Sequence, residues 1–85
     1  MAKEKELVEY LVKTLVDKPD DVQVNLVEGE NTNIIEIKAD NDDYGKIIGR
    51  KGRIVNSIRT LLAVCARDSG KRWLLDVPDK ENRDS

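Results

Sequence analysis

Apolar positions along the chain change period repeatedly, and each change marks the edge of an element. Leu7, Val8, Leu11, Val12 and Leu15 recur at helical spacing with Glu4, Glu6, Glu9 and Lys13 outside that face, which predicts a first helix over 3–16. Lys18-Pro19-Asp20-Asp21 ends it, because the residue before proline is pushed out of the α region. Val22, Val24 and Leu26 then alternate with Gln23, Asn25 and Val27, the period of a half-buried strand. A turn over 28–32 centred on Gly29 leads to a second strand over 34–39, with Ile35, Ile37 and Ala39 facing one way and Glu36 and Lys38 the other.

Asp40, Asn41, Asp42 and Asp43 supply short oxygen-bearing side chains and negative charge, the signal for a helix start, and predict a short helix over 43–48. Ile54, Val55, Ile58, Leu61, Leu62, Cys65 and Ala66 then fill an arc of roughly 140° at 100° per residue, the core face of a longer helix. Arg53, Asn56, Ser57, Thr60 and Arg67 lie opposite, but Ala63 and Val64 fall among them and Leu61 sits at the border. Apolar surface therefore spills past the core arc. Asp68-Ser69-Gly70-Lys71 closes the helix, and Trp73, Leu75 and Val77 alternate with Leu74 and Asp76 in a third strand that Pro78 stops. Residues 79–85 hold no apolar side chain and read as a frayed tail behind a single domain at 1–78.

Eighty-five residues make one domain whose core is marginal and which would gain from pairing. No apolar run approaches the roughly 20 residues needed to cross a bilayer. Lys3, Glu4, Lys5 and Glu6 occupy the place where a signal peptide would turn apolar, so no membrane partner and a cytoplasmic location are expected. There is no histidine and one cysteine, Cys65, which excludes an internal disulfide and leaves nucleophile–base pairs and His/Cys metal sites without their parts. No enzyme, metal or cofactor is expected.

The net charge of −2 conceals a segregation. Between Tyr44 and Arg72 stand eight basic residues and one acid, Asp68, for +7, so the remainder carries −9. A local basic face can neutralise phosphates while acidic surroundings weaken indiscriminate binding, which predicts modest, salt-sensitive affinity. At its centre is Gly45-Lys46-Ile47-Ile48-Gly49-Arg50-Lys51-Gly52-Arg53, two glycines three apart bracketing an Arg-Lys pair between two helices. Glycine allows special backbone angles and close backbone approach, and the following helix points free N–H groups at the turn. The guest that suits it is a phosphate, or a run of them.

Ile47-Ile48-Gly49-Arg50-Lys51-Gly52-Arg53-Ile54-Val55, with Ile58 behind it, resembles the signature of the KH domain, whose GxxG loop clamps about four single-stranded nucleotides. The order helix, strand, strand, helix, helix, strand is similar to the bacterial type II arrangement. Over 3–78 the chain resembles the stand-alone KhpA family. That resemblance implies an α+β fold: a three-stranded mixed sheet with three helices on one face, the third strand parallel to the second after a right-handed crossover. It implies single-stranded RNA as partner, with Gly49 and Gly52 allowing approach, Arg50 and Lys51 meeting phosphates, Ile47, Ile48 and Val55 lining the groove, and Lys46 and Arg53 flanking it. The groove's other wall would be the third strand and the 68–71 loop, with Arg59, Arg67, Lys71 and Arg72 as weaker contacts. Trp73 has the phase of a core residue, though an indole can also stack on bases; Tyr10 and Tyr44 are open in the same way.

The resemblance also implies a role in post-transcriptional regulation or RNA chaperoning linked to cell elongation and division, with a KhpB-type KH protein as partner. It implies a homodimer, for which Ser57, Thr60, Leu61 and Val64 form the expected interface. Against the RNA reading stands a protein-interaction subunit with a vestigial loop.

Overall fold

The computed structural model describes residues 2–77, so Met1, Pro78 and the expected tail over 79–85 lie outside the described residues. The elements are α1 (Lys3–Leu15), β1 (Gln23–Glu28), β2 (Thr32–Lys38), α2 (Tyr44–Ile48), α3 (Arg53–Cys65) and β3 (Arg72–Asp76), the order that the periodicities predict. β1 and β2 form an antiparallel hairpin with Val24 opposite Ile37 and Leu26 opposite Ile35. β3 lies parallel to β2, with Leu75 opposite Ile35, so β2 is the central strand. A parallel neighbour cannot be reached by a tight turn. The chain crosses over the sheet instead, and α2 and α3 are that crossover.

Burial follows the strand alternation. On β2, Asn33, Ile35 and Ile37 point inward while Ile34 and Glu36 stay half-exposed. Ile35 and Ile37 lose all solvent exposure against Val8 and Val12 of α1, Ile47 of α2 and Leu62 of α3. Each such side chain contributes about 1.5–3 kcal/mol of transfer free energy, which places most of the stability in one layer between the helices and the sheet. Trp73 follows its phase with Leu75 and packs half-buried against this layer. The Tyr44 hydroxyl accepts from Ala39 N at 3.2 Å and is structural, whereas Tyr10 is exposed.

Three local expectations are corrected. α1 stops at Leu15, and the extended Val16 turns inward to take the core place assigned to Leu15, which is left exposed. The acidic run makes a 3-10 turn over Asn41–Asp43 before α2 begins, and its cap is Asp40, whose carboxylate accepts from Asp42 N at 3.0 Å. Asp43, one of the acids expected to cap the helix start, makes no cap hydrogen bond and is buried at 1% exposure.

Asp43 is satisfied where it lies. Its Oδ1 accepts from Asp17 N at 3.3 Å, its Oδ2 accepts from Lys18 N at 3.1 Å, and the Lys46 ammonium is 3.7 Å away. Lys46 also reaches Asp17 Oδ2 at 3.4 Å. The hydrogen bond that the Lys46 ammonium donates to the Asp17 carboxylate, and that carboxylate's charge, with Asp43 behind, hold the ammonium above its ordinary value of 10.5. Whatever this pairing contributes is therefore fully present at neutral pH and is lost only as pH rises through that raised value. The cluster ties the start of the crossover to the end of α1. Replacing Asp43 by alanine strands two backbone donors and should cost about 2–4 kcal/mol, read as a lowered urea midpoint at unchanged slope.

Candidate nucleic-acid interface

The loop between α2 and α3 is built by its glycines. Gly49 N donates to Gly45 O at 2.8 Å and ends α2, and Gly52 N donates to Gly49 O at 3.1 Å and closes the turn. Gly49 has φ 77 and Gly52 φ 76, values where a side chain strains the backbone. The two glycines differ in one respect. A Cβ on Gly49 would sit 2.6 Å from Ile54 Cγ1, whereas on Gly52 the nearest atom would be Asn56 Nδ2 at 3.7 Å. Lys51 also adopts the left-handed conformation, at φ 57, a cost of about 1–2 kcal/mol for a residue with a Cβ.

The resulting turn presents Arg50, Lys51 and Arg53 to solvent. Among the described residues none of these three side chains enters an ion pair, because the carboxylates lie elsewhere on the fold. The first turn of α3 has no side-chain cap, so its leading N–H groups add partial positive charge beneath the cations. Ile48 is half-buried beside the loop and leaves apolar surface there.

Two residues expected to line a groove are placed otherwise. Ile47 is fully buried and Val55 nearly so, at 6% exposure. Both anchor the loop from beneath, and neither side chain reaches the surface. Lys46 turns from the loop toward Asp17 and Asp43.

The opposite wall is held by a small polar network. Ser69 Oγ accepts from Lys71 N at 3.1 Å and from Trp73 Nε1 at 2.9 Å, which fixes the indole, and Lys71 Nζ donates to Gly29 O at 3.0 Å. Arg59 donates to Asn56 Oδ1 at 3.0 Å and to Leu75 O at 3.5 Å, bridging α3 and β3. It lines a cavity of about 460 Å³ together with Leu62, Trp73 and Leu75. Ser69 escaped the sequence reading, although a tryptophan N–H four residues away was the signal for it. Arg67, in the turn just past α3, donates back to Val64 O at 3.0 Å.

On the other side of α3, Leu61 and Val64 are 48% and 54% exposed. The neighbouring Ser57 and Thr60 hydroxyls donate to Arg53 O and Asn56 O within the helix. Leu61 forms the rim of an apolar groove of about 320 Å³ between α1 and α3, floored by Leu11, Ile54 and Ile58. Among the described residues no group of carboxylates and thiols could hold a metal ion, and no helix is long and apolar enough to cross a membrane.

Comparison with known proteins adds to this geometry. A family profile described as "KhpA/KhpB, KH domain" matches residues 5–77. The chain is 50% identical over 74 residues to the RNA-binding protein KhpA of Borreliella burgdorferi, covering 87% of this chain and 90% of that one. It is 47% identical over 73 residues to the RNA-binding protein KhpA of Clostridium perfringens, at 86% and 97% coverage. The RNA-binding protein KhpA of Aquifex aeolicus gives 44% over 73 residues, at 86% and 92%. No solved structure gives a significant match.

The unequal surroundings of the two glycines can be measured. Gly52→Ala should cost only the backbone strain, about 1 kcal/mol. Gly49→Ala should cost at least ~1 kcal/mol more, because Ile54 must also move; chemical unfolding of the two variants compares them directly.

Proposed function

The chain belongs to the KhpA/KhpB KH-domain family, and on that premise we propose that it binds single-stranded RNA through the Gly49–Gly52 loop. The observation that carries this is the loop itself: a left-handed turn open to solvent with Arg50, Lys51 and Arg53 unpaired among the described residues. A sugar-phosphate chain can approach the bare backbone at Gly52 while the cations and the uncapped end of α3 take its charge. Ile48 gives bases an apolar surface, and the strand wall with Arg59 and the fixed indole of Trp73 faces them. The protein is a binding protein rather than an enzyme. The domain spans 1–78, and Lys46, Ile47 and Val55 act by holding the loop in place.

With only three aromatic residues in the chain, stacking is scarce and a single domain binds weakly, so affinity comes from pairing of domains. Self-association through α3 suits this, since Leu61 and Val64 expose apolar surface and Leu61 also lines the α1/α3 groove. In the cell the protein acts with a KhpB-type KH partner as a post-transcriptional regulator or RNA chaperone tied to cell elongation and division. The competing reading, an interaction subunit with a vestigial loop, draws on the same exposed α3 edge.

One measurement separates these readings, and a second tests the pairing surface. Arg50→Glu/Lys51→Glu should lower affinity for a single-stranded RNA oligonucleotide at least tenfold and flatten its salt dependence by about 1.4 in the log–log slope, two phosphate contacts at ~0.7 each; equal retention by both proteins would favour the interaction subunit. Leu61→Lys should raise the dimer dissociation constant by about tenfold or more in sedimentation at low micromolar protein. A dimer that survives there unchanged removes α3 as the pairing surface.

A further inference from the structure

β3 lies at the edge of the sheet, next to β2 on one side only. Arg72 N donates to Asn31 O at 2.9 Å, so in the parallel ladder Arg72, Leu74 and Asp76 turn their backbone groups toward β2. Trp73 and Leu75 then present N–H and C=O to the open edge. One of these acceptors, Leu75 O, is met by Arg59 Nη2 at 3.5 Å, the outer limit of a hydrogen bond. Natural sheets blunt such edges with like charges or a covering segment. This edge instead carries opposite charges at its two ends, Arg72 and Asp76.

The strand Arg72-Trp73-Leu74-Leu75-Asp76 is its own antiparallel complement, and we propose that it pairs with β3 of a second copy about a two-fold axis through Leu74. In that register Arg72 of each copy lies opposite Asp76 of the other, Trp73 lies opposite Leu75, and Leu74 meets itself. Trp73 and Leu75, whose backbone groups face outward, fall in the hydrogen-bonded positions. On the open face of the sheet, Val27, Ile34 and Leu74 are successive cross-strand neighbours, with Val27 47% and Leu74 42% exposed. Pairing continues this apolar row into the same row of the second copy. The cavity that wraps this edge, lined by Arg59, Trp73 and Leu75 on the helix side and by Ile34 and Leu74 on the open face, leaves room for the incoming side chains. β1, the other edge, offers no such match: antiparallel self-pairing would set Gln23 against Glu28.

A five-residue strand covers less than the ~800 Å² per partner of a standard interface, so the contact forms at about 0.1 mM or above in RNA-free protein and adds there to the α3 contact; it takes the strand wall that the RNA groove uses, so RNA and strand pairing exclude one another. It is tested by sedimentation in the Leu61→Lys background, where α3 pairing is weakened, and by the emission of Trp73, the one tryptophan of the chain. The Leu61→Lys protein should associate reversibly between ~0.05 and ~1 mM with a shift in Trp73 emission. Adding Arg72→Asp should weaken association at least tenfold, and adding both Arg72→Asp and Asp76→Arg should restore most of it. Both positions are exposed, and circular dichroism checks that each variant folds. A Leu61→Lys protein that stays monomeric to ~1 mM overturns the proposal. So does an Arg72→Asp variant that associates as before, or a charge swap that restores nothing.

Discussion

The parallel pairing of β3 with β2 is the constraint from which the rest of the structure follows. Two parallel neighbours must be joined by a segment that travels back along the sheet, and in so short a chain that segment must also roof the core. α2 and α3 do both, which is why Ile47, Ile58 and Leu62 bury themselves over Ile35 and Ile37. Two helices joined by so few residues need a reversal tighter than ordinary side chains allow, so the glycines appear where the path turns. The loop is thus a product of topology before it is a binding device.

Charge is distributed by the same logic. Where the fold must seat a carboxylate in its interior, at Asp43, two backbone N–H groups and an ammonium compensate it. Where nothing need be seated, at Arg50, Lys51 and Arg53, the cations stay hydrated and uncommitted among the described residues. An uncommitted surface cation costs the fold little, and it keeps its full attraction for an anion arriving from solution.

The element order, the strand faces and the loop were legible in the sequence because each rests on periodicity or on glycine, both local properties. Trp73 was legible as a core-phased residue for the same reason. What stayed hidden depends on contacts between segments far apart in the chain. Asp43 looks like any acid at a helix start, and only the return of α1 to its side shows that its oxygens are spoken for by Asp17 and Lys18. Lys46 reads as one more cation near the glycines, yet the same two acids hold it. Ile47 and Ile48 are indistinguishable in sequence; a rotation of one residue along a helix places the first in the core and the second beside the loop. Leu15 was misplaced because helix termination, set by the extended Val16, decides which of two adjacent apolar residues turns inward.

The difference between Gly49 and the two residues after it has a wider reading. Gly49 is locked by Ile54, so its identity belongs to the scaffold, whereas the Arg50 and Lys51 side chains extend into water and no packed neighbour depends on them. Evolution can therefore retune the grip of this domain, strengthening or silencing it, by exchanging two letters without renegotiating the architecture that carries them.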